Sequence, residues 1–499
     1  MVANSAVSIA VINRMTIQTL RKIFMTEPHY DAIIIGSGAG GSACAFNLIQ
    51  GGKRVLMLEK GDFLPKDGST LAVDQVFGSS RFKNKQPWLD SQNKELTPGE
   101  FYNVGGKTKW YGAALLRFSP HEFNADPDYD CLGWPINYAE LEPFYQQAEQ
   151  LLAVKPFAHE KQLTGLIARI VKPSSGWRAE HLPLGLKTEI LDHPDEAKHF
   201  DGFASPGGFK ADAEFNLLTP LLENPAFQLL TGKEVTSLIA KAERPTYIQG
   251  VLCADGSRYQ ADHIILAAGA MTSPRILQNY LQQSGLAKIL PSAPCVGANF
   301  KLHLNSALLA FSPFKQHDML RKTALFFNEK FPHSTVQCLG WMDGELLATQ
   351  LPGFVPRFIA NILGQRAYGF FVTTEDSSSP DNRIIVGSEA SLPPKLDYLP
   401  RRTPASAAEH KAVLSAFKAR LMSAGFLSFS KAMDLTATAH ALGSLATGSD
   451  SAKSVVDARG KVHGMDNIHV SDGSILPRSS RVNPGLTIYA WGLRLGRHL

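Results

Sequence analysis

Tyr30-Asp31-Ala32-Ile33-Ile34-Ile35-Gly36-Ser37-Gly38-Ala39-Gly40-Gly41 decides the fold of this chain. The first six residues form a short apolar, β-branched run, which reads as a buried parallel strand. Gly36-x-Gly38-x-x-Gly41 follows at once. Gly36 permits the tight turn off the strand, Gly38 lets the backbone approach a pyrophosphate, and Gly41 lets the next helix pack close to the sheet. A helix N-terminus there offers unpaired N–H groups to phosphates. Residues 40–50 read as that helix, closed by Gly51-Gly52. Residues 54–58 read as a second strand that ends at Glu59, 18 residues after Gly41. A carboxylate at that place can accept hydrogen bonds from a ribose diol. The motif predicts a dinucleotide site and by itself does not separate FAD from NAD.

Outward from this unit, the chain has 499 residues, which predicts two domains. Apolar residues make up 44% and charged residues 19%, the composition of a globular chain. A net charge of +5 is small for this length and gives no argument for nucleic acid or an acidic membrane surface, so no nucleic-acid partner is expected. The five cysteines, Cys44, Cys131, Cys253, Cys295 and Cys338, are scattered without a C-x-x-C pair. That pattern suits neither a disulfide framework nor zinc, so the reading assigns no metal and a reducing compartment. No run of 18 apolar residues is present, so no transmembrane helix is expected. Residues 1–27 read as a poorly ordered leader or an over-long start, since Met15 and Met25 are alternative starts.

Further along, residues 62–101 are expected to be loop. A helix is expected from Tyr138 to Leu152. Asp255-Gly256 marks a hairpin turn between two strands. Residues 263–269 read as a buried strand leading into a helix from about Ser273. Residues 353–372, apolar with Arg357 and Arg366 inside, are expected to form a pair of core strands, with a substrate-pocket lining or an acceptor surface as the alternative.

Three segments carry a resemblance that the glycine motif lacks. The first is Val104-Gly105-Gly106-Lys107-Thr108, running on to Trp110-Tyr111-Gly112. The second is Ala268-Gly269-Ala270-Met271-Thr272-Ser273-Pro274-Arg275. The third begins at His440-Ala441-Leu442-Gly443-Ser444 and passes through Ser454-Val455-Val456-Asp457. It continues as Asn467-Ile468-His469-Val470-Ser471-Asp472-Gly473-Ser474 and closes with Asn483-Pro484-Gly485-Leu486-Thr487-Ile488. Together these resemble the glucose–methanol–choline (GMC) oxidoreductases, in the family's order, from residue 31 to residue 495.

The resemblance implies an α/β chain with an α+β substrate part. A Rossmann-like FAD-binding domain would be assembled from residues 28–118, 205–309 and 438–499. A substrate-binding domain with an antiparallel sheet would come from residues 119–204 and 310–437. It implies that Gly105, Gly106 and Thr108 lie near the flavin and pyrophosphate, and that Val235 offers a backbone contact to adenine. Asp472 and Gly473 would close over the pyrophosphate and ribitol, and Leu486 and Thr487 would touch the flavin pyrimidine edge. His440 matches the family's catalytic histidine and Asn483 the second polar position. Oxidation of a CH–OH group needs a proton acceptor and a group that holds the oxygen as charge develops, roles for which a neutral imidazole and an amide are suited.

Some relatives attach FAD covalently through a histidine; Trp110 stands at that position here, so noncovalent FAD is expected. Sugar dehydrogenases that share Trp134-Pro135-Ile136 and Leu141-Glu142-Pro143-Phe144-Tyr145 also carry iron–sulfur cysteines, which residues 201–208 lack. Electrons would therefore pass to oxygen, a quinone-like acceptor or a redox protein. The family's Asp-His after Val-Gly-x-Asn is altered to Val296-Gly297-Ala298-Asn299-Phe300-Lys301-Leu302-His303, with no role assigned. An alcohol or sugar substrate is expected, and a cytoplasmic location, with export beside a signal-bearing partner subunit as the alternative. A non-redox lyase holding FAD as a structural cofactor is the competing reading.

Overall fold

The computed structural model describes residues 29–351, 355–387, 392–436 and 439–499, so the expected leader lies outside the described residues. Two large sheets organise the molecule. The first has seven strands. Tyr30–Ile35 lies at its centre, parallel to Val55–Leu58 on one side and to Arg258–Leu266 on the other. Phe227–Leu230 and Ile468–Val470 extend the parallel part, the latter beside Arg258–Leu266. The hairpin turn at Asp255-Gly256 joins Arg244–Cys253 to Arg258–Leu266, and Val235–Lys241 completes the antiparallel edge. Ile34 shares an apolar cluster with Cys44 and Leu48 of the following helix, while Ile33 and Ile35 share another with Leu238 and Val251 of the antiparallel strands, so both faces are buried and the apolar run is continuous rather than alternating.

Helix Ala39–Gln50 follows the glycine turn, and the C-terminal helix Gly485–His498 lies along it. Their backbones nearly touch. A Cβ at Gly492 would lie 2.4 Å from the Gly40 carbonyl oxygen, and one at Gly496 would lie 2.3 Å from that of Cys44. Only glycine fits at either place, so the last helix is pinned to the first by two residues one turn apart.

The second sheet has six antiparallel strands, ordered Leu427–Ala432, Leu304–Phe311, Ala367–Thr374, Ser334–Cys338, Ala324–Asn328 and Trp177–His181. Leu304–Phe311 straddles residue 309, where the sequence reading divides the chain. Helices Lys161–Ile170 and Pro404–Ser423 pack on one face, burying Leu163, Leu166, Val336, Phe370 and Phe417 together. Strand periodicity then sends Thr335 and Gln337 to the opposite face. There Thr335 donates to the Arg481 carbonyl oxygen at 2.7 Å and Gln337 meets Asn483, which joins the second sheet to the C-terminal segment.

Two expectations are corrected. Residues 353–372 do not form a strand pair: Arg357–Gly364 is a helix and only Ala367–Thr374 is a strand. A short apolar run does not distinguish the two, and this helix leaves Phe358 64% exposed instead of burying it. Residues 62–101 are not all loop, because Trp88–Leu89 and Glu95–Leu96 join a small four-stranded sheet with Lys395–Asp397 and Arg383–Ile385. Trp88, fully buried, anchors that sheet. Helix Tyr138–Leu151 begins with a capping box between Asn137 and Glu140, close to the expected bounds.

Candidate active site

The N-terminal strand delivers Gly36 in the left-handed region, φ +106°, where a Cβ would lie 2.4 Å from the Ala267 carbonyl oxygen. A Cβ at Gly38 would meet nothing within 4 Å, so open space lies in front of it. A Cβ at Gly41 would lie 2.2 Å from the Gly36 oxygen, which is the close helix packing that the motif requires. The helix that starts here has no side-chain cap and no acidic residue in its first turn. Its orphan N–H groups and positive dipole end suit an anion.

Glu59 is 6% exposed, and burial raises its carboxyl above the usual range. It accepts from the Ser37 N–H at 3.0 Å, the Ser37 hydroxyl at 2.6 Å and the Gly61 N–H at 2.9 Å. Among the described residues no cation pairs with it, and these three bonds leave one lone pair on Oε1 for a diol. Ser37 Oγ also accepts from the Gly105 N–H at 3.0 Å, tying the first glycine turn to the second. Gly105 and Gly106 both have positive φ, and a Cβ on Gly106 would lie 3.3 Å from the Gly38 Cα. The two glycine turns therefore face each other across a narrow gap. Thr108 braces the second turn, donating to the Gly105 oxygen at 2.6 Å and accepting from the Ala213 N–H at 3.0 Å. Val235 is buried at the start of its strand, two residues after Lys233, whose N–H bonds the Glu59 carbonyl oxygen at 2.8 Å.

The Asp472 carboxylate is fully committed within the protein. One oxygen accepts from the Gly269 N–H at 2.9 Å and the Ser273 hydroxyl at 2.5 Å, and the other from the Ser474 N–H and hydroxyl. It organises the Gly269 turn and starts the short turn Gly473–Ile475. Leu486 is buried, and the Thr487 hydroxyl pairs with the Tyr145 hydroxyl at 2.7 Å. At the position where a covalent histidine would stand, Trp110 stacks on Phe101 at 4.9 Å and donates to Asn103 at 3.0 Å. Its indole offers no free nucleophile.

His440 sits on a segment laced to this cradle: the Gly443 N–H bonds the Gly473 oxygen and the Leu445 N–H the Ser474 oxygen. Lys301 and Leu442 form an antiparallel bridge through two 3.0 Å bonds. Two residues on along one strand and two residues back along the other, that register places His303 opposite His440. Their Nδ1 atoms are 2.7 Å apart and the rings are perpendicular. Burial, then His303, Lys107 and Lys322, hold the His440 pKa well below 6.5. A neutral imidazole in this position can take a proton at neutral pH.

The Asn483 amide faces Gln337 head to head, accepting at 3.2 Å and donating at 3.3 Å, and donates to the Ala114 oxygen at 3.4 Å. Lys322 pairs with Asp201 at 2.6 Å. The sequence reading missed Gln337, Lys322 and Asp201, because nothing local marks them. It noted His303 within an altered motif but gave it no role. Cys131, His333 and Glu375 also converge. There Arg478 holds both Glu375 oxygens, at 2.9 and 2.6 Å, so the cluster is an ion-pair network.

A parallel strand–glycine turn–helix unit of this kind is the arrangement of Rossmann-type folds. The chain belongs to the GMC oxidoreductase family: the family's N-terminal model matches residues 30–305 and its C-terminal model residues 401–492. It is 26% identical over 511 residues to 6'''-hydroxyparomomycin C oxidase of Streptomyces lividus, covering 94% of this chain and 91% of that one. It is 25% identical over 500 residues to paromamine 6'-oxidase of Streptomyces fradiae, covering 93% and 90%. The crystal structure of pyridoxine 4-oxidase from Mesorbium loti shares the fold, with TM-score 0.66 and 17% identity over 94% of this chain and 98% of that one. Among the described residues, no helix is long and apolar enough to cross a membrane.

Proposed function

We propose that this chain oxidises the CH–OH group of an alcohol or sugar with noncovalently held FAD, using His440 as base and Asn483 to orient the substrate oxygen. The observation that carries this reading is His440, a neutral imidazole on the segment bonded to Gly473 and Ser474. The cradle fits FAD. The uncapped helix start and open face of Gly38 suit the pyrophosphate, and Glu59 suits a ribose diol. Bound FAD supplies the hydride acceptor.

The chain's own part is to place and deprotonate the substrate. His440 accepts the hydroxyl proton at Nε2. Asn483 turns one N–H from its long bonds to Gln337 and Ala114 toward the oxygen on which charge develops. Relatives named for oxidation of paromamine and 6'''-hydroxyparomomycin C make hydroxyl-bearing amino sugars the first compounds to try.

The test is anaerobic mixing of the FAD-loaded protein with alcohols and sugars, amino sugars included, while flavin absorbance is followed. Bleaching is expected. A panel that leaves the flavin oxidised favours the non-redox use of the fold. His440→Ala should keep FAD and lose about 100-fold or more of the reduction rate; undiminished reduction overturns the base. Peroxide formed in air separates an oxidase from a dehydrogenase.

A further inference from the structure

A base is useful only if its lone pair points at the substrate, and a neutral imidazole has two nitrogens that can exchange roles. We infer that His303 is a positioning residue that fixes the tautomer of His440, holding the hydrogen on Nδ1 and leaving Nε2 as the base. This inference rests on the reading of His440 above.

The far side of His303 faces two backbone carbonyls. Its Nε2 lies 2.9 Å from the Ser479 carbonyl oxygen and 2.8 Å from that of Ser480. Carbonyl oxygens only accept, so Nε2 carries a hydrogen. Burial lowers the His303 pKa, so the ring is neutral and its Nδ1 holds a lone pair. That lone pair lies 2.7 Å from His440 Nδ1. Two nitrogens at that distance need one hydrogen between them, and only His440 can supply it. His440, itself neutral, has then used its one N–H, and Nε2 is left unprotonated. When Nε2 takes the substrate proton, the same Nδ1–H becomes a charge-assisted bond. Lys107 and Lys322 act on His440, while Glu375 and Glu122 favour positive charge on His303 behind it.

The carbonyl pair that starts this relay is itself held in place. Ser480 has φ +66°, a left-handed conformation uncommon outside glycine, which turns consecutive carbonyls toward one ring nitrogen. Glu375 accepts from the Ser480 N–H at 3.1 Å, and Glu122 accepts from the Ser480 hydroxyl at 2.6 Å and the Arg481 N–H at 3.0 Å. Both glutamates are buried. The turn so held presents the double acceptor that His303 meets.

The test compares two variants of the FAD-loaded enzyme by anaerobic stopped flow across pH. Glutamine donates from an amide nitrogen and accepts on an amide oxygen at about the spacing of the two imidazole nitrogens, so His303→Gln should preserve the relay. Its flavin reduction is expected within about 10-fold of the parent, with the acid limb of the pH profile intact. His303→Leu is expected to keep FAD and lose about 100-fold or more, the least that a positioned base contributes. Parental reduction in His303→Leu overturns the inference, as does His303→Gln no faster than His303→Leu with FAD bound in both.

If His303→Leu does not fold, histidine nitrogen NMR of the parent decides. The resonance lost in His440→Ala should show an Nδ1–H tautomer, and an Nε2–H tautomer there overturns the inference. A fully active His440→Ala would instead remove the proposed base, which keeps the two failures apart.

Discussion

Arg478→Met probes the buried pair behind the site. Arg478 and Glu375 are 2% and 0% exposed, and two parallel hydrogen bonds join them. Burial alone would raise the Glu375 carboxyl, but Arg478 and His333 outweigh it and hold it down to about 2, from an ordinary 4.5. At about 1.4 kcal/mol per pH unit, that difference corresponds to about 3 kcal/mol in favour of the folded state at neutral pH. The sign follows from the lowered value: the stabilisation is complete above pH 4.5 and fades as pH falls toward 2. Methionine at 478 fills space but leaves the carboxylate to the His333 ring and the Ser480 N–H, without the guanidinium. Removing one partner of a buried pair costs about 3–5 kcal/mol. The carboxyl pKa then rises, so the loss is greatest at pH 7 and shrinks toward pH 5 as the group takes a proton. The assay is urea unfolding at saturating FAD, parent against variant, at both pH values. A loss below about 1 kcal/mol at pH 7, or one that grows on acidification, refutes the reasoning.

Glu59→Gln keeps the shape but removes the charge that a ribose diol would meet; an equilibrium titration should show FAD binding weakened by about 10- to 100-fold, the worth of one hydrogen bond to a charged group. The rate of flavin reduction should rise with pH on an acid limb below 6.5, because His440 must be unprotonated and its pKa is lowered. Lys322→Met removes one cause of that lowering and leaves Asp201 unpaired, so the limb should move up toward 6.5; an unmoved limb in the pH profile counts against it. Gly492→Val puts a side chain where a Cβ already lies 2.4 Å from the Gly40 oxygen. Separating the two helices should cost about 1–3 kcal/mol in thermal unfolding and release FAD, and a variant with full FAD content would show that the close contact is dispensable.

How far the site was legible depended on distance along the chain. The strand at Tyr30, its glycines and Glu59 lie within thirty residues, so one window contains the whole unit. The hairpin at Asp255-Gly256 and the helix capped by Asn137 and Glu140 are local in the same way. Residues 353–372 misled because a short apolar run fits a strand and an amphipathic helix equally well. The Asp472 side chain holds the Gly269 turn and the turn at Gly473, a structural role that residue type does not reveal.

What the sequence by itself determined is therefore the short-range chemistry. It includes a parallel strand ending in a glycine turn, an acid after the second strand, and the order of motifs that places the chain among the GMC oxidoreductases. Only the tertiary structure decided how those pieces act together. His303 and His440 are 137 positions apart and meet through one bridge between irregular segments, at Lys301 and Leu442. Gln337 reaches Asn483 because strand periodicity turns it away from the aromatic core of the second sheet. Periodicity and turn chemistry act between neighbours in sequence, while the register between remote segments depends on how two sheets and their helices pack. The glycine motif at residue 36 is a local object, and the tautomer of His440 is a property of the whole fold.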